Sequence, residues 1–225
     1  MKKNNKNNKN NFNLINLILI ILVVIIIYLL CEKIYKYLFI QKNIELFNSN
    51  GNEATTKLIG TDLGRYITSV LAGNGKIYAA PYFAKQVLEI DPTGDEVTTQ
   101  LIGTELSGSW KYNTSVLAGN GKIYCAPYGY KGSANYVLEI DPTGDEVTVQ
   151  TIGDDLGSGS YKYETSVLAE NGKIYAAPRN AKQILEIDPI KSTAKLIGDD
   201  LDSGNYKYFT SVLAENGKIY AAPYG

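Results

Sequence analysis

From residue 42 onward, apolar and polar positions fall in short strand-like runs separated by turn residues, with no helical spacing. Residues 68–72 and 76–82 are rich in β-branched and aromatic side chains and are joined through Gly73, Asn74 and Gly75, where Asn-Gly accepts the positive φ angles of a tight hairpin. Residues 86–91 then alternate apolar and polar side chains, as a half-buried strand does. Pro92, Thr93, Gly94 and Asp95 make a turn, and residues 96–103 run back. The pattern predicts four antiparallel strands, a to d, in one meander, with the Glu of strand c on its polar side.

This unit recurs. Thr68, Thr114, Thr165 and Thr210 each open the same Thr-Ser-Val-Leu-Ala run, every 45 to 51 residues, and each run leads within a few residues to Asn-Gly-Lys-Ile-Tyr. A period near 45 with one four-stranded unit per copy is the signature of a β-propeller, whose blades bury their faces only by stacking on neighbours. Length varies only in turns, the largest insertion lying between strands b and c at residues 129–134. The fourth copy carries strands a and b alone, while residues 42–53 align without gaps on residues 85–96, and 55–60 on 98–103. The expected fold is therefore all-β: a four-bladed propeller over residues 42–225, its last blade closed by N-terminal strands c and d and C-terminal strands a and b.

Ahead of the repeats, residues 1–11 are almost wholly Lys and Asn and read as a disordered tail. From Leu14 to Cys31 the chain is apolar except for Asn16. As a helix that stretch is roughly 27 Å long against a hydrocarbon core of about 30 Å, so residues 12–31 are expected to form a single transmembrane signal-anchor helix, with residues 32–41 as a linker. The lysines before it slightly outnumber those after it, which favours a cytosolic N-terminus and a propeller on the lumenal or extracellular side. Asn113, Thr114 and Ser115 form a glycosylation sequon.

Charge narrows the partners. Residues 1–42 hold seven Lys and one Glu, whereas the remainder holds fifteen basic and twenty-two acidic residues, an acidic balance that argues against nucleic acid. The chain has no His, which removes the commonest general base and metal ligand, and its two Cys, Cys31 and Cys125, form no disulfide or zinc spacing. No cofactor is expected. The acidic turns at Asp91, Asp95 and Glu96 and at Asp141, Asp145 and Glu146 lack the dense oxygen ligands of a calcium loop, so no metal site is expected there.

Lys76, Ile77 and Tyr78, followed by Val87 to Pro92 and then Gly94 to Val97, resemble kelch-type and YVTN-like propeller repeats. The resemblance covers residues 42–225 and implies a binding scaffold for proteins or glycans. Its enzymatic members carry additional residues that have no match in this chain.

Candidate ligand residues fall in the d–a and b–c loops of one face. Each copy has a basic-aromatic pair, Arg65 with Tyr66, Lys111 with Tyr112, Lys162 with Tyr163 and Lys207 with Tyr208, expected around the channel mouth beside Tyr82, Tyr128 and Tyr224. The competing reading of these pairs is packing of blade on blade. Positions that break the repeat are Arg179, Trp110, and Tyr130 and Lys131 of the inserted loop. The functional expectation is a membrane-anchored, non-enzymatic binding module for a protein or carbohydrate ligand, with a propeller-type hydrolase or lactonase and a purely structural repeat protein as the alternatives.

Overall fold

A computed structural model of the protein describes residues 19–30, 44–48 and 55–225. It divides into two compact units, residues 1–43 and 44–225. In the first, residues 19–30 form a helix whose side chains are apolar or aromatic and exposed. Among the described residues no helix is long and apolar enough to cross a membrane. The transmembrane expectation for residues 12–31 is corrected to that extent. Residues 12–18 and 31, the tail and the linker lie outside the described residues.

The second unit is all-β. Three four-stranded antiparallel sheets follow one another: β3 (Val70–Leu71), β4 (Ile77–Ala79), β5 (Val87–Asp91) and β6 (Thr98–Ile102); β7 (Val116–Leu117), β8 (Ile123–Cys125), β9 (Val137–Asp141) and β10 (Thr148–Ile152); β11 (Val167–Leu168), β12 (Ile174–Ala176), β13 (Ile184–Asp188) and β14 (Thr193–Ile197). Each is a meander, as the turn residues require. Two-stranded sheets flank them, β1 (Ile44–Asn48) with β2 (Thr55–Ile59), and β15 (Tyr208–Leu213) with β16 (Ile219–Pro223). β1 and β2 keep the register of a c–d hairpin, Ile44 opposite Ile59 as Val87 is opposite Ile102.

Among the described residues β1–β2 and β15–β16 are two separate two-stranded sheets, so the expected last blade is not seen as one four-stranded sheet. The sequence of β1 also differs from the other strands c. By the ungapped alignment, Glu45 takes the place of Leu88, which is 3% exposed, and Leu46 takes the place of Glu89, which Lys76 contacts at 2.9 Å. In that register β1 would turn a carboxylate toward an apolar face and an alkyl group toward the lysine of strand b, and alternation makes every such position decisive.

Strand c also departs from the expected half-buried alternation. Glu89, Glu139 and Glu186 are buried, each against the lysine of its neighbouring strand b. The carboxylates are satisfied internally: Glu139 is 3.1 Å from Lys122 Nζ and accepts from Gln150 at 2.9 Å and from Ser192 Oγ of the next blade at 3.2 Å. Apolar positions interlock in the same direction, Leu138 and Ile140 packing with Val87, Ile102 and Leu106, and Leu185 and Ile187 with Val137, Ile152 and Leu156. Asn120 Nδ2 and Tyr124 Oη both donate to the Pro189 carbonyl of the following blade, at 3.0 and 3.2 Å.

A second tie runs along one rim. Tyr82 N–H donates to Arg65 O, Lys111 to Tyr82, Tyr128 to Lys111, Lys162 to Tyr128, Arg179 to Lys162, Lys207 to Arg179 and Tyr224 to Lys207, at 2.7 to 3.2 Å. This rail links all the blades by backbone alone, and no counterpart joins Tyr224 back to Arg65 among the described residues.

Asn120→Ala removes bonds across a blade junction, whereas Asn216→Ala removes the equivalent side chain, which bonds only within its own hairpin among the described residues. Denaturant unfolding is expected to show a loss of about 2 kcal/mol for the first and less than half of that for the second. Burial raises the Glu139 carboxyl, but the hydrogen bonds from Gln150 and Lys122 outweigh it and hold the group below the usual carboxylate range; Glu186 is lowered by Lys173. Folded values below unfolded ones mean that this stability is complete above about pH 4.5 and lost as pH falls through the folded values. Glu139→Gln is therefore expected to cost on the order of 3 kcal/mol at pH 7 and to flatten the acid limb of the stability curve.

Candidate functional site

The rim that carries the backbone rail also gathers the aromatic side chains. Residues just before the basic-aromatic pairs have a left-handed backbone, Trp110 at φ 61°, Tyr161 at 58° and Tyr206 at 63°, where the first copy has Gly64 at 84°. Glycine accepts that conformation freely, and a bulky aromatic there costs of order 1–3 kcal/mol, so three copies hold large rings at a position whose local preference is glycine. That strain turns the rings onto a shared surface. Trp110 stacks near Tyr82, Phe83, Tyr130 and Tyr161 at centroid distances of 5.4 to 6.2 Å, and Tyr161 in turn meets Tyr128 and Tyr130 at 5.1 and 5.6 Å.

Arg179 stands at the edge of this shelf. Its guanidinium lies 4.9 to 5.3 Å from the ring centroids of Tyr128, Tyr161 and Tyr206, and it donates through Nη1 to the Tyr128 hydroxyl. Glu164 Oε2 is 3.1 Å from the same Nη1, and Asn113 Nδ2 donates to the other carboxylate oxygen. Burial pushes the Glu164 carboxyl up while Arg179 and Asn113 pull it down, and the net direction is upward. The buried Arg179 Nε has no hydrogen-bond partner among the described residues. A partly covered ion pair set beside aromatic faces is suited to a polar ligand with flat apolar patches.

Several residues expected at the mouth lie elsewhere. Tyr66, Tyr112 and Tyr163 turn into their own blades, where the hydroxyls donate to Gln86 O, Tyr136 O and Gln183 O at 3.0, 3.3 and 3.1 Å. Burial pushes Tyr66 up to about 12 and raises Tyr112 and Tyr163 as well. Their basic partners are capping groups: Lys111 Nζ donates to Gly108 O at 2.7 Å, and Lys162 Nζ to Ala134 O, Gly157 O and Gly159 O at 2.8 to 3.1 Å. The pairs hold the loops, and the packing reading describes them. Tyr208 lies in β15 and borders a groove against the third blade. Tyr224 is exposed and stacks on Phe209 at 5.2 Å. Lys131 is exposed, its Nζ 5.2 Å from the Tyr130 ring centroid.

Arg179, Trp110, Tyr130, Tyr82 and Tyr128 are thus brought together, while Phe83, Tyr161, Tyr206 and Glu164 join them without having been expected. The signal was present one residue before each basic-aromatic pair, where Gly64 is replaced by Trp110, Tyr161 and Tyr206. Asn113, the sequon residue, is half-buried and committed to Glu164. The first Asp of each acidic turn is committed too: Asp91 accepts from Thr93 N and Oγ1 at 2.9 and 2.5 Å, bonds that with Lys76 hold it at about 2, and Asp141 accepts from Thr143 in the same way. Among the described residues no group of three acidic or Cys side chains is placed to hold a metal ion.

No protein-family model and no curated protein matches the chain. Solved structures do. A catalytically inactive virginiamycin B lyase from Staphylococcus aureus with quinupristin is 11% identical at a TM-score of 0.57, covering 80% of this chain and 56% of that one. A protein described as a 6-phosphogluconolactonase from Bacteroides uniformis is 17% identical at 0.58, covering 80% and 57%. The extracellular domain of the hybrid two-component system BT4673 from B. thetaiotaomicron is 17% identical at 0.53, covering 76% and 21%. The chain spans a little over half the length of the first two and about a fifth of the third. At these identities the likeness shows the fold alone, a propeller-like array of four-stranded antiparallel sheets, and it does not single out the kelch-type or YVTN-like subfamily.

Burial pushes Lys162 down to about 8. A folded value below the unfolded value near 10.4 means that the folded state gives up its proton first, so stability rises between about pH 8 and 10. Lys162→Met is expected to remove that rise, read as denaturation midpoints across the pH series.

Proposed function

We propose that the chain is a non-enzymatic binding module whose rim site takes a neutral carbohydrate. The observation that carries this is the continuous aromatic shelf of Phe83, Trp110, Tyr130 and Tyr161 beside Arg179. Sugar rings present apolar faces that stack on aromatic side chains. Glu164 neutralises Arg179 and the repeat domain is acidic, which supports a neutral sugar over an acidic one. The non-enzymatic part of the reading is supported by the commitment of Glu164 to Arg179 and Asn113 and by the absence of His.

Display from a membrane is the second part of the proposal. It is supported by the apolar sequence from Leu14 to Cys31, of which residues 19–30 are described and helical. The full chain is expected to stay with membranes through carbonate extraction and to leave them in detergent. Release by carbonate would remove anchoring from the reading.

Trp110 is the only Trp in the chain, so its fluorescence reports on the site directly. A neutral oligosaccharide array, with hits titrated by Trp110 emission, is expected to give saturable binding by the full-length protein. Tyr161→Ala is expected to weaken it at least tenfold. Trp110→Gly, which places at this position the glycine that stands at 64, is expected to abolish capture on the array and to move the melting temperature by only about 3 °C, since relief of backbone strain offsets lost stacking. An array on which no oligosaccharide binds would overturn the carbohydrate assignment.

A further inference from the structure

Two residues on the rim break the repeat in charge, and they meet. The position before each Thr-Ser-Val-Leu-Ala run holds Ile67, Asn113, Glu164 and Phe209 in turn, and the position after each strand-b proline holds Tyr82, Tyr128, Arg179 and Tyr224. The Lys-Glu pairs of strands b and c recur in every complete blade and serve packing, whereas the sequence places Glu164 with Arg179 in the third copy only. The bridge between Tyr163 and Pro178 brings their two loops together, and the pair sits beside the aromatic shelf with side chains 11% and 12% exposed.

The guanidinium is held in place by more than the carboxylate. The rings of Tyr128, Tyr161 and Tyr206 have their centroids within 5.3 Å of it and that of Phe209 at 6.0 Å, an aromatic cradle that attracts a cation by its quadrupoles. The carboxylate is held less firmly than that of Glu139. Lys122, Gln150 and Ser192 meet Glu139, which lies below the usual carboxylate range, whereas Arg179 and Asn113 meet Glu164, which lies above it because burial outweighs both. The other titratable groups facing the pair are the phenols of Tyr82, Tyr128, Tyr161 and Tyr206, and burial raises Tyr82 and Tyr128 further from neutrality. In mildly acidic solution Glu164 is therefore the group whose charge changes, since a guanidinium keeps its proton.

A cradled guanidinium with an amide donor beside it is a receptor for a carboxylate or sulfate, and Glu164 sits in that receptor as an internal ligand. We infer that Arg179 and Asn113 form an anion subsite at the end of the shelf, filled from within by Glu164 and taken over by the carboxylate or sulfate of an acidic sugar when the charge of Glu164 is removed. The sugar ring lies on the shelf as a neutral one does, so the subsite rests on the carbohydrate reading of the rim and adds a second ligand class to it. While Glu164 is ionised it repels such a ligand and occupies its place. Once Glu164 is neutral, Arg179 is left as an uncompensated cation facing the ligand.

Melting temperatures of the full-length protein in sodium sulfate and in sodium chloride of equal ionic strength test the subsite, with the Glu164→Gln/Arg179→Gln double variant alongside to subtract the stabilisation that sulfate gives any folded protein. At about pH 7.5, Glu164→Gln is expected to gain about 3 °C or more over that reference and the parent nothing. At about pH 4.5, where a carboxyl raised above that value is more than half protonated, the parent is expected to gain nearly as much, which keeps the test open if Glu164→Gln does not fold. A flat response in the folded variant or in the acidified parent would overturn the inference, as would an equal gain by the parent at about pH 7.5. On an array of uronate- and sulfate-bearing oligosaccharides at about pH 7.5, Glu164→Gln is expected to capture chains that the parent leaves unbound. Neutral chains bound by the parent together with a flat sulfate response would sink the subsite and leave the carbohydrate reading standing. A sulfate gain with an array blank for neutral and acidic chains alike would keep the anion subsite and remove the sugar from it.

Discussion

A sheet that is apolar on both faces cannot stand alone, and this requirement governs the whole repeat domain. Strand c buries Leu and Ile toward the preceding blade and Val with Glu toward the following one, so each blade is both a cover and a surface to be covered. The buried glutamates follow from the same requirement. With neighbours on both sides no face is left to water, and the polar residues that alternation places inward are tolerated only because Lys, Gln and Tyr meet them.

The rim site is a by-product of the same stacking. The backbone rail brings the d–a loop of one blade against the b–c loop of the blade before it, and the buried lysines pin those loops by their carbonyls. Rigid loops can hold Trp110 and Tyr161 in a backbone conformation that they would not adopt unaided. The fold therefore absorbs local strain at the place where large rings are gathered, a pattern that supports a role in recognition. Arg179 replaces the tyrosine found at this position in the other copies and is the asymmetric element in an otherwise repeating rim.

Much of this was legible in the chain. Turn chemistry and the Thr-Ser-Val-Leu-Ala period gave the four-stranded meanders with their order, and departures from the repeat pointed to Arg179, Trp110 and Tyr130. What misled was symmetry. Repetition suggested that Tyr66, Tyr112 and Tyr163 surround the channel, but a residue needed in every blade is needed for packing, and their hydroxyls turn inward. The ungapped alignment of residues 42–53 suggested a sealed fourth blade. It matches length and turn, while at Glu45 and Leu46 the polarity of the two faces is exchanged, and among the described residues β1–β2 and β15–β16 are separate two-stranded sheets. Tyr161 and Tyr206 were missed because they precede the conspicuous basic-aromatic pairs, where only the backbone conformation reveals their importance.

The central claim is that the blades satisfy one another in series through the buried glutamates of strand c. Residue-resolved amide hydrogen exchange on the full-length protein and on Glu139→Gln tests it most directly. The account predicts strong protection for the amides of β8 and β12 in the parent, and in the variant a loss of protection that reaches β13 and β14 of the next blade, whose Ser192 donates to that carboxylate, as well as β8 and β9. A loss confined to the blade that carries residue 139 would contradict the account.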